Sequence, residues 1–391
     1  MKYNFDKVID RSGTSAEKVE GLKHIWGRTD LIPLWVADMD FATAPFVTDA
    51  IRKRCENEVL GYTGKLDSYY NAIINWVKQR YDLIVTKEVI NFVPGIVPGI
   101  GMAMNCFTQK GDKVMIQPPV YHPFAWVTTR NERTLVINPL KWENGMYRMD
   151  LDAFREQIKG CKLFILCNPH NPGGVVWTEA ELRAIADICY DEKVLVFSDE
   201  IHADLTLPPH THRPFATVSE KARMNSVTFM SPSKAFNMPG LSASHALIFN
   251  EDLRKRFRIY MDAGELDMGH VFAFLSVEAA YSHGTEWLDQ CLAYIQGNID
   301  FVDEFLKKHA PKIKAIRPEA SYLVWLDCRE LELSQKDLNE FFVDKAHLAL
   351  NDGEMFGKEG IGFMRLNVAS PRCIIEKAMK QLADAYQLYI K

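Results

Sequence analysis

Between about residues 88 and 250, short runs of β-branched and aliphatic residues alternate with longer stretches whose apolar positions recur at helical spacing. The runs are Val89-Ile90-Asn91-Phe92-Val93, Val114-Met115-Ile116, Leu135-Val136-Ile137, Leu163-Phe164-Ile165-Leu166, Val194-Leu195-Val196-Phe197, Val227-Thr228-Phe229-Met230 and Ala246-Leu247-Ile248-Phe249. They are nearly continuous in apolar character, as strands must be when both of their faces are covered. The segments between them, such as 179–192, read as helices. This order predicts an α/β fold with a large domain, a mainly parallel mixed sheet sandwiched by helices.

After residue 285 the pattern changes. A long helical stretch covers 286–309, followed by strand-like Tyr322-Leu323-Val324-Trp325-Leu326 and Phe363-Met364-Arg365-Leu366-Asn367-Val368. A helix around 338–346 separates these runs, and an amphipathic helix from about residue 373 closes the chain. The expectation is a smaller α+β domain made of 1–44 and 286–391, beside a large domain of 45–285.

The 391 residues, 47% apolar and 25% charged, suit a globular enzyme and not a disordered chain. A net charge of -5 without a block of like charges gives no reason to expect nucleic acid or an anionic membrane as partner. No signal-like apolar core opens the chain and no stretch is long enough to span a bilayer, so a cytoplasmic location is expected. The eight cysteines lack paired spacing and read as small buried hydrophobes, with no disulfide or metal site expected.

In open α/β sheets ligands bind beyond the carboxyl ends of strands, so the residues after each run are the candidates. After 227–230 comes Ser231-Pro232-Ser233-Lys234-Ala235-Phe236-Asn237. A lysine freed of its proton there can form a Schiff base with an aldehyde, and the two serine hydroxyls can hold a phosphate. Most lysines sit in water, so this stretch needs the others for support. Asp199 and Glu200 follow the run 194–197; a carboxylate there can pair with a protonated pyridine nitrogen, and His202 lies within reach of the same ligand. Asn168-Pro169-His170-Asn171-Pro172-Gly173-Gly174 is a rigid turn that presents an amide donor. Pro94-Gly95-Ile96-Val97-Pro98-Gly99 opens a helix whose first N–H groups, on Ile96 and Val97, can cradle a phosphate. Tyr121 could stack on a flat ring, and Arg365 in an apolar run needs an anion, such as an α-carboxylate or a structural carboxylate. Gly61-Tyr62-Thr63-Gly64 is a tight turn presenting a tyrosine.

Together with Val36-Ala37-Asp38-Met39-Asp40-Phe41 and Phe356-Gly357-Lys358-Glu359-Gly360-Ile361-Gly362-Phe363-Met364-Arg365-Leu366-Asn367, these stretches resemble the aspartate-aminotransferase superfamily of pyridoxal-phosphate enzymes, fold type I. Within it they are most similar to the MalY/PatB branch of cystathionine β-lyases and the cystalysin-type C–S lyases. The resemblance implies pyridoxal 5'-phosphate as cofactor, joined to Lys234, with Asp199 on the pyridine nitrogen, Asn171 at the phenolic oxygen and Tyr121 stacked on the ring. It implies that Ser231, Ser233, Ile96 and Val97 hold the phosphate, with Tyr62 reaching it from the other subunit of a homodimer. Arg365 would bind the substrate carboxylate, helped by the backbone at Ala37. Ser242, eight residues after Lys234 where many aminotransferases have arginine, and His202, where they have tyrosine, both resemble the lyase branch.

The function so implied is α,β-elimination of cystathionine, cystine or cysteine to pyruvate, ammonia and a thiol or sulfide, with Lys234 as base and Lys234 or Tyr121 protonating the leaving sulfur. The alternatives are an aminotransferase and, from another class, a regulatory protein that binds a transcription regulator on an enzyme-like scaffold.

Overall fold

The apolar runs become strands because helices bury them on both faces, as the computed structural model of residues 2–390 shows. In chain order the strands are β1 (Ile32–Pro33), β2 (Ile90–Val93), β3 (Lys113–Ile116), β4 (Thr134–Ile137), β5 (Lys141–Glu143), β6 (Met146–Arg148) and β7 (Cys161–Cys167). There follow β8 (Leu195–Asp199), β9 (Ser226–Met230), β10 (Ser244–Leu247), β11 (Lys314–Ile316) and β12 (Leu323–Asp327). The last are β13 (Leu348–Ala349), β14 (Asn351–Asp352) and β15 (Phe363–Asn367).

The large sheet has seven strands in the order β2-β10-β9-β8-β7-β3-β4, and every run predicted between 88 and 250 contributes to it. Only β10 is antiparallel to its neighbours. Along β7, Leu163, Ile165 and Cys167 enter one buried cluster while Phe164 and Leu166 enter another, so successive side chains fill two separate layers. Helix Ile96–Phe107 covers one face; helix Glu179–Asp191 covers the other. The latter begins with a capping box in which Thr178 and Glu181 bond reciprocally, a signal for its start.

This topology brings the candidates to one edge. Strands β3, β7, β8 and β9 run parallel, and β2 runs the same way because two reversals, β9 to β10 and β10 to β2, cancel. The carboxyl ends of all five therefore meet the amino end of β10 at one rim.

The C-terminal third forms an antiparallel sheet, β11-β12-β15-β14, backed by helices Thr285–His309 and Arg372–Tyr389. The N-terminal segment joins it: β1 pairs with β13, and the Asn367 N–H donates to the Leu34 carbonyl at 2.9 Å. Grouping 1–44 with 286–391, apart from 45–285, remains a proposed division, because one continuous apolar cluster links helix Asp67–Tyr81 of the larger unit to helix Arg372–Tyr389.

Several local expectations are corrected. Strand β10 starts at Ser244 and ends at Leu247, so the run at 246–249 lies two residues too late; its polar opening, Ser244-His245, hides the strand from an apolar criterion. The helix placed at 338–346 begins at Gln335, and its second half, Phe341–Lys345, is wound as a π-helix. Strands β1, β11, β13 and β14 and the hairpin β5–β6 are too short to show a period and were not expected. All eight cysteines are free, but Cys55 and Cys373 are exposed and not buried. Among the described residues no helix is long and apolar enough to cross a membrane.

Candidate active site

A cavity of about 300 Å³ opens at the rim of the large sheet. Ala37, Ile96, Val97, Tyr121, Asn171, Asp199, His202, Ser233 and Lys234 line it, nearly the whole predicted set brought together from distant positions. A wider groove of about 1000 Å³ runs beside it along the N-terminal segment and meets it at Pro239. Three of the groove's charged groups are paired with one another, Arg11 with Asp38 at 2.6 Å and with Asp40 at 3.0 Å, whereas the predicted site residues line the smaller cavity.

Lys234 sits in the turn after β9 with its Nζ on the Ala37 carbonyl. Burial lowers its pKa to about 8; Asp38 and Asp199 oppose that shift and the Arg365 charge adds to it. The amine thus gives up its proton far more readily than an ordinary lysine, as a nucleophile or base requires.

Adjacent carboxylates on β8 and its following loop part company. Burial, aided by the Glu200 charge, raises the Asp199 carboxyl to about 7 against the opposing Ile201 N–H and Lys234 charge. Its Oδ1 accepts from that N–H at 3.1 Å. A cation facing Asp199 would favour its ionised form, and a protonated ring nitrogen is such a cation. Glu200 instead turns away from the cavity, accepting from Ser198 Oγ at 2.9 Å, the Phe215 N–H at 2.8 Å and sharing a 2.8 Å contact with His212 Nε2. Glu200→Ala is expected to destabilise the protein by about 3–5 kcal/mol, because it strands the buried His212 and the Phe215 N–H. Chemical denaturation monitored by tryptophan fluorescence would check this.

His202 Nδ1 is buried without a hydrogen-bond partner among the described residues, and burial, aided by the Lys234 and Arg365 charges, holds its pKa at about 3. The imidazole is neutral there and can serve a ligand oxygen through a ring N–H.

At the other end, helix Ile96–Phe107 starts after Gly95, whose φ of 134° only glycine adopts readily, and points its first-turn N–H groups at the cavity wall. Ser233 joins them. Ser231, expected at the phosphate, does not line the cavity: its one proton goes to the Ala243 carbonyl at 2.7 Å, while its oxygen takes the Ser233 N–H at 3.1 Å. Ser231 thus fixes the turn and leaves the Ser233 hydroxyl, 2.9 Å away, to address a ligand.

Arg365 stands one layer behind the cavity wall. Its Nη1 donates to Asn171 Oδ1 at 3.0 Å and its Nη2 to the Trp35 carbonyl at 3.1 Å and to Asn351 Oδ1, while Nε has no partner. Among the described residues no carboxylate pairs with this buried cation, which favours an anion-binding reading over a structural ion pair. Burial lowers its pKa to about 10, still charged at pH 7.

Segment 35–41 is held by side chains of the same site. Asn367 Nδ2 donates to the Val36 and Asp38 carbonyls at 2.7 Å each, and Asn237 Nδ2 to those of Met39 and Phe41 at 3.0 and 2.7 Å. Tyr322, Cys167 and Ser244 also reach this region and were not anticipated. Tyr322 directly precedes an ordinary core strand, and only its partner distinguishes it. Tyr62 is outside the cavity, 96% exposed on the turn before helix Asp67–Tyr81, with Val59, Leu60 and Leu66 also exposed around it.

A ligand with a ring cation opposite Asp199, a phosphate at Ile96, Val97 and Ser233, an aldehyde carbon near Lys234 and an oxygen that accepts from His202 or Asn171 would complement the groups lining the cavity. Pyridoxal phosphate has those features, so the residues fit it.

A family model for aminotransferase class I and II matches residues 29–382. The chain is 38% identical over 384 residues to the cystathionine β-lyase PatB of Bacillus subtilis, covering 98% of this chain and 99% of that one. The crystal structure of cystalysin from Treponema denticola, which contains pyridoxal 5'-phosphate, superposes with a TM-score of 0.96 at 33% identity over 100% of both chains. The PLP-bound C–S lyase from Staphylococcus hominis gives 0.91 at 35% identity over 98% of each.

Proposed function

The chain belongs to the aminotransferase class I and II family, and from that premise we propose that it is a pyridoxal-phosphate-dependent carbon–sulfur β-lyase acting on cystathionine, cystine or cysteine. The observation that carries this is the pairing, across one cavity, of an amine lowered to about 8 with a carboxyl raised to about 7, in a chain whose relatives by sequence and structure are C–S lyases.

When bound, pyridoxal phosphate supplies an electron sink that stabilises negative charge at the substrate Cα. The protein does the rest. Asp199 holds a proton on the ring nitrogen, and Ile96, Val97 and Ser233 fix the phosphate. Arg365 would take the substrate α-carboxylate, with Asn171, to which it donates, bridging it to the cavity. The Lys234 amine removes the Cα proton at Nζ. The C–S bond then breaks, and the leaving thiolate takes a proton from Lys234 Nζ or from Tyr121 Oη, whose proton burial holds more tightly than usual. Hydrolysis of the unsaturated fragment yields pyruvate and ammonia.

We further propose a homodimer in which the exposed turn at Tyr62, ringed by exposed apolar side chains, is covered by the second subunit and contributes to the partner's site. Light scattering would test this; a monomer that retains full activity would reject it.

Arg365→Lys is expected to raise KM for the amino-acid substrate by about 10- to 100-fold with a smaller change in kcat, because lysine cannot reproduce the planar fork. Steady-state kinetics with L-cystathionine, following pyruvate, checks it. The same assay tests the function. Pyruvate and thiol release without added keto acid supports the lyase; amino transfer that needs a keto acid, without pyruvate release, sinks it in favour of an aminotransferase.

A further inference from the structure

The Ala37 carbonyl accepts two buried donors at once, Lys234 Nζ and, at 3.0 Å, the Tyr322 hydroxyl. We propose that Tyr322 is a positioning residue for the reactive lysine, a standing donor that lets the amine leave Ala37 without orphaning that carbonyl. The inference rests on Lys234 being the reactive amine, whichever substrate the enzyme takes.

A carbonyl has two lone pairs, so two donors are compatible, but they differ in what they must do. Lys234 has to move between its parked position and the ligands in the cavity. Tyr322 does not move: its side chain is fully buried immediately before β12, and its carbonyl is fixed by the Val368 N–H at 2.9 Å. Segment 35–41 is held from both sides of Ala37 by Asn367 and Asn237, so its backbone cannot swing away to find water when the amine departs. Without Tyr322 each departure would leave a half-buried acceptor at the cavity wall without a protein donor, and the amine would be held back.

The second donor also bears on the amine's proton. The charged and titratable groups around Lys234 are Asp38 on the N-terminal segment, Asp199 at the end of β8, His202 after it, Arg365 on β15 and Tyr322 itself. The Tyr322 O–H occupies one lone pair of the carbonyl and directs its positive end to the same oxygen as the amine. Both effects disfavour the ammonium form, so removing the hydroxyl should raise the amine's proton affinity.

The test is a double-mutant cycle on the full-length chain freed of cofactor, with Tyr322→Phe, which keeps the ring, and Lys234→Met, which keeps the stem. Tyr322→Phe should lower the folding equilibrium constant about tenfold more in the Lys234→Met background than in the wild type, because only there does it orphan Ala37. Alongside it, competitive acetylation across pH 6–10, read at the Lys234 peptide by mass spectrometry, should show the midpoint shifted upward by Tyr322→Phe. A tyrosine that merely fills the core would give equal costs in both backgrounds and an unchanged midpoint. Either result overturns the assignment, and neither depends on turnover, so failure of the lyase reading would be seen separately.

Discussion

Replacing Lys234 by alanine is expected to lower pyruvate release from L-cystathionine by at least about 10⁴-fold, the upper end of what a positioned proton-transfer group contributes, because the same amine anchors the cofactor and takes the Cα proton. The purified variant should also lose the visible absorption that covalent attachment of pyridoxal phosphate confers. Folding should survive, since the side chain lies at a cavity wall and its partner Ala37 keeps the Tyr322 hydroxyl. A variant with wild-type pyruvate release would remove Lys234 from the mechanism.

The second large effect falls on Asp199. Asp199→Asn is expected to reduce kcat by about 10²- to 10⁴-fold, because the amide cannot hold a proton on the ring nitrogen and charge at Cα loses its sink. The same substitution should stabilise the cofactor-free protein at alkaline pH. The carboxyl's value rises from 3.8 unfolded to about 7 in the folded chain, driven first by burial. Between those values the folded state binds more protons than the unfolded one, so Asp199's contribution is intact below about pH 4 and is lost as pH climbs through 7. At about 1.4 kcal/mol for each tenfold change in proton affinity, the gain from Asp199→Asn at pH 8 is at most about 4 kcal/mol, vanishing near pH 4. Thermal unfolding of wild-type and variant apoprotein at pH 4.5 and pH 8 checks the sign. A variant less stable than wild type at pH 8 would mean that Asp199 is a structural carboxylate like its neighbour.

That neighbour shows where sequence reading runs out. Asp199 and Glu200 are both acidic and both follow the same apolar run, yet one faces the cavity and the other a buried histidine, as successive side chains at a strand end must diverge. Ser231 and Ser233 pose the same ambiguity in a turn: both hydroxyls looked equally placed for phosphate, and the demand of the Ala243 carbonyl assigns one to the backbone. Arg365 was legible as a costly cation in an apolar strand, but the absence of a carboxylate partner among the described residues could not be read from the chain. Tyr322 carried no local signal, because a tyrosine just before a buried strand is ordinary until its hydroxyl is found on Ala37.

What the sequence determined unaided was the succession of large-sheet strands and their covering helices, and the motifs at strand ends that mark a lysine–aldehyde cofactor. Periodicity and turn chemistry are local properties, written within a few residues of one another. Which of these side chains line one cavity and which are spent on neighbouring backbone or buried partners was decided only by tertiary structure. Those assignments depend on unpaired donors and acceptors meeting across long separations, as Lys234 meets Ala37, and a buried polar group takes its role from the partner that folding brings to it.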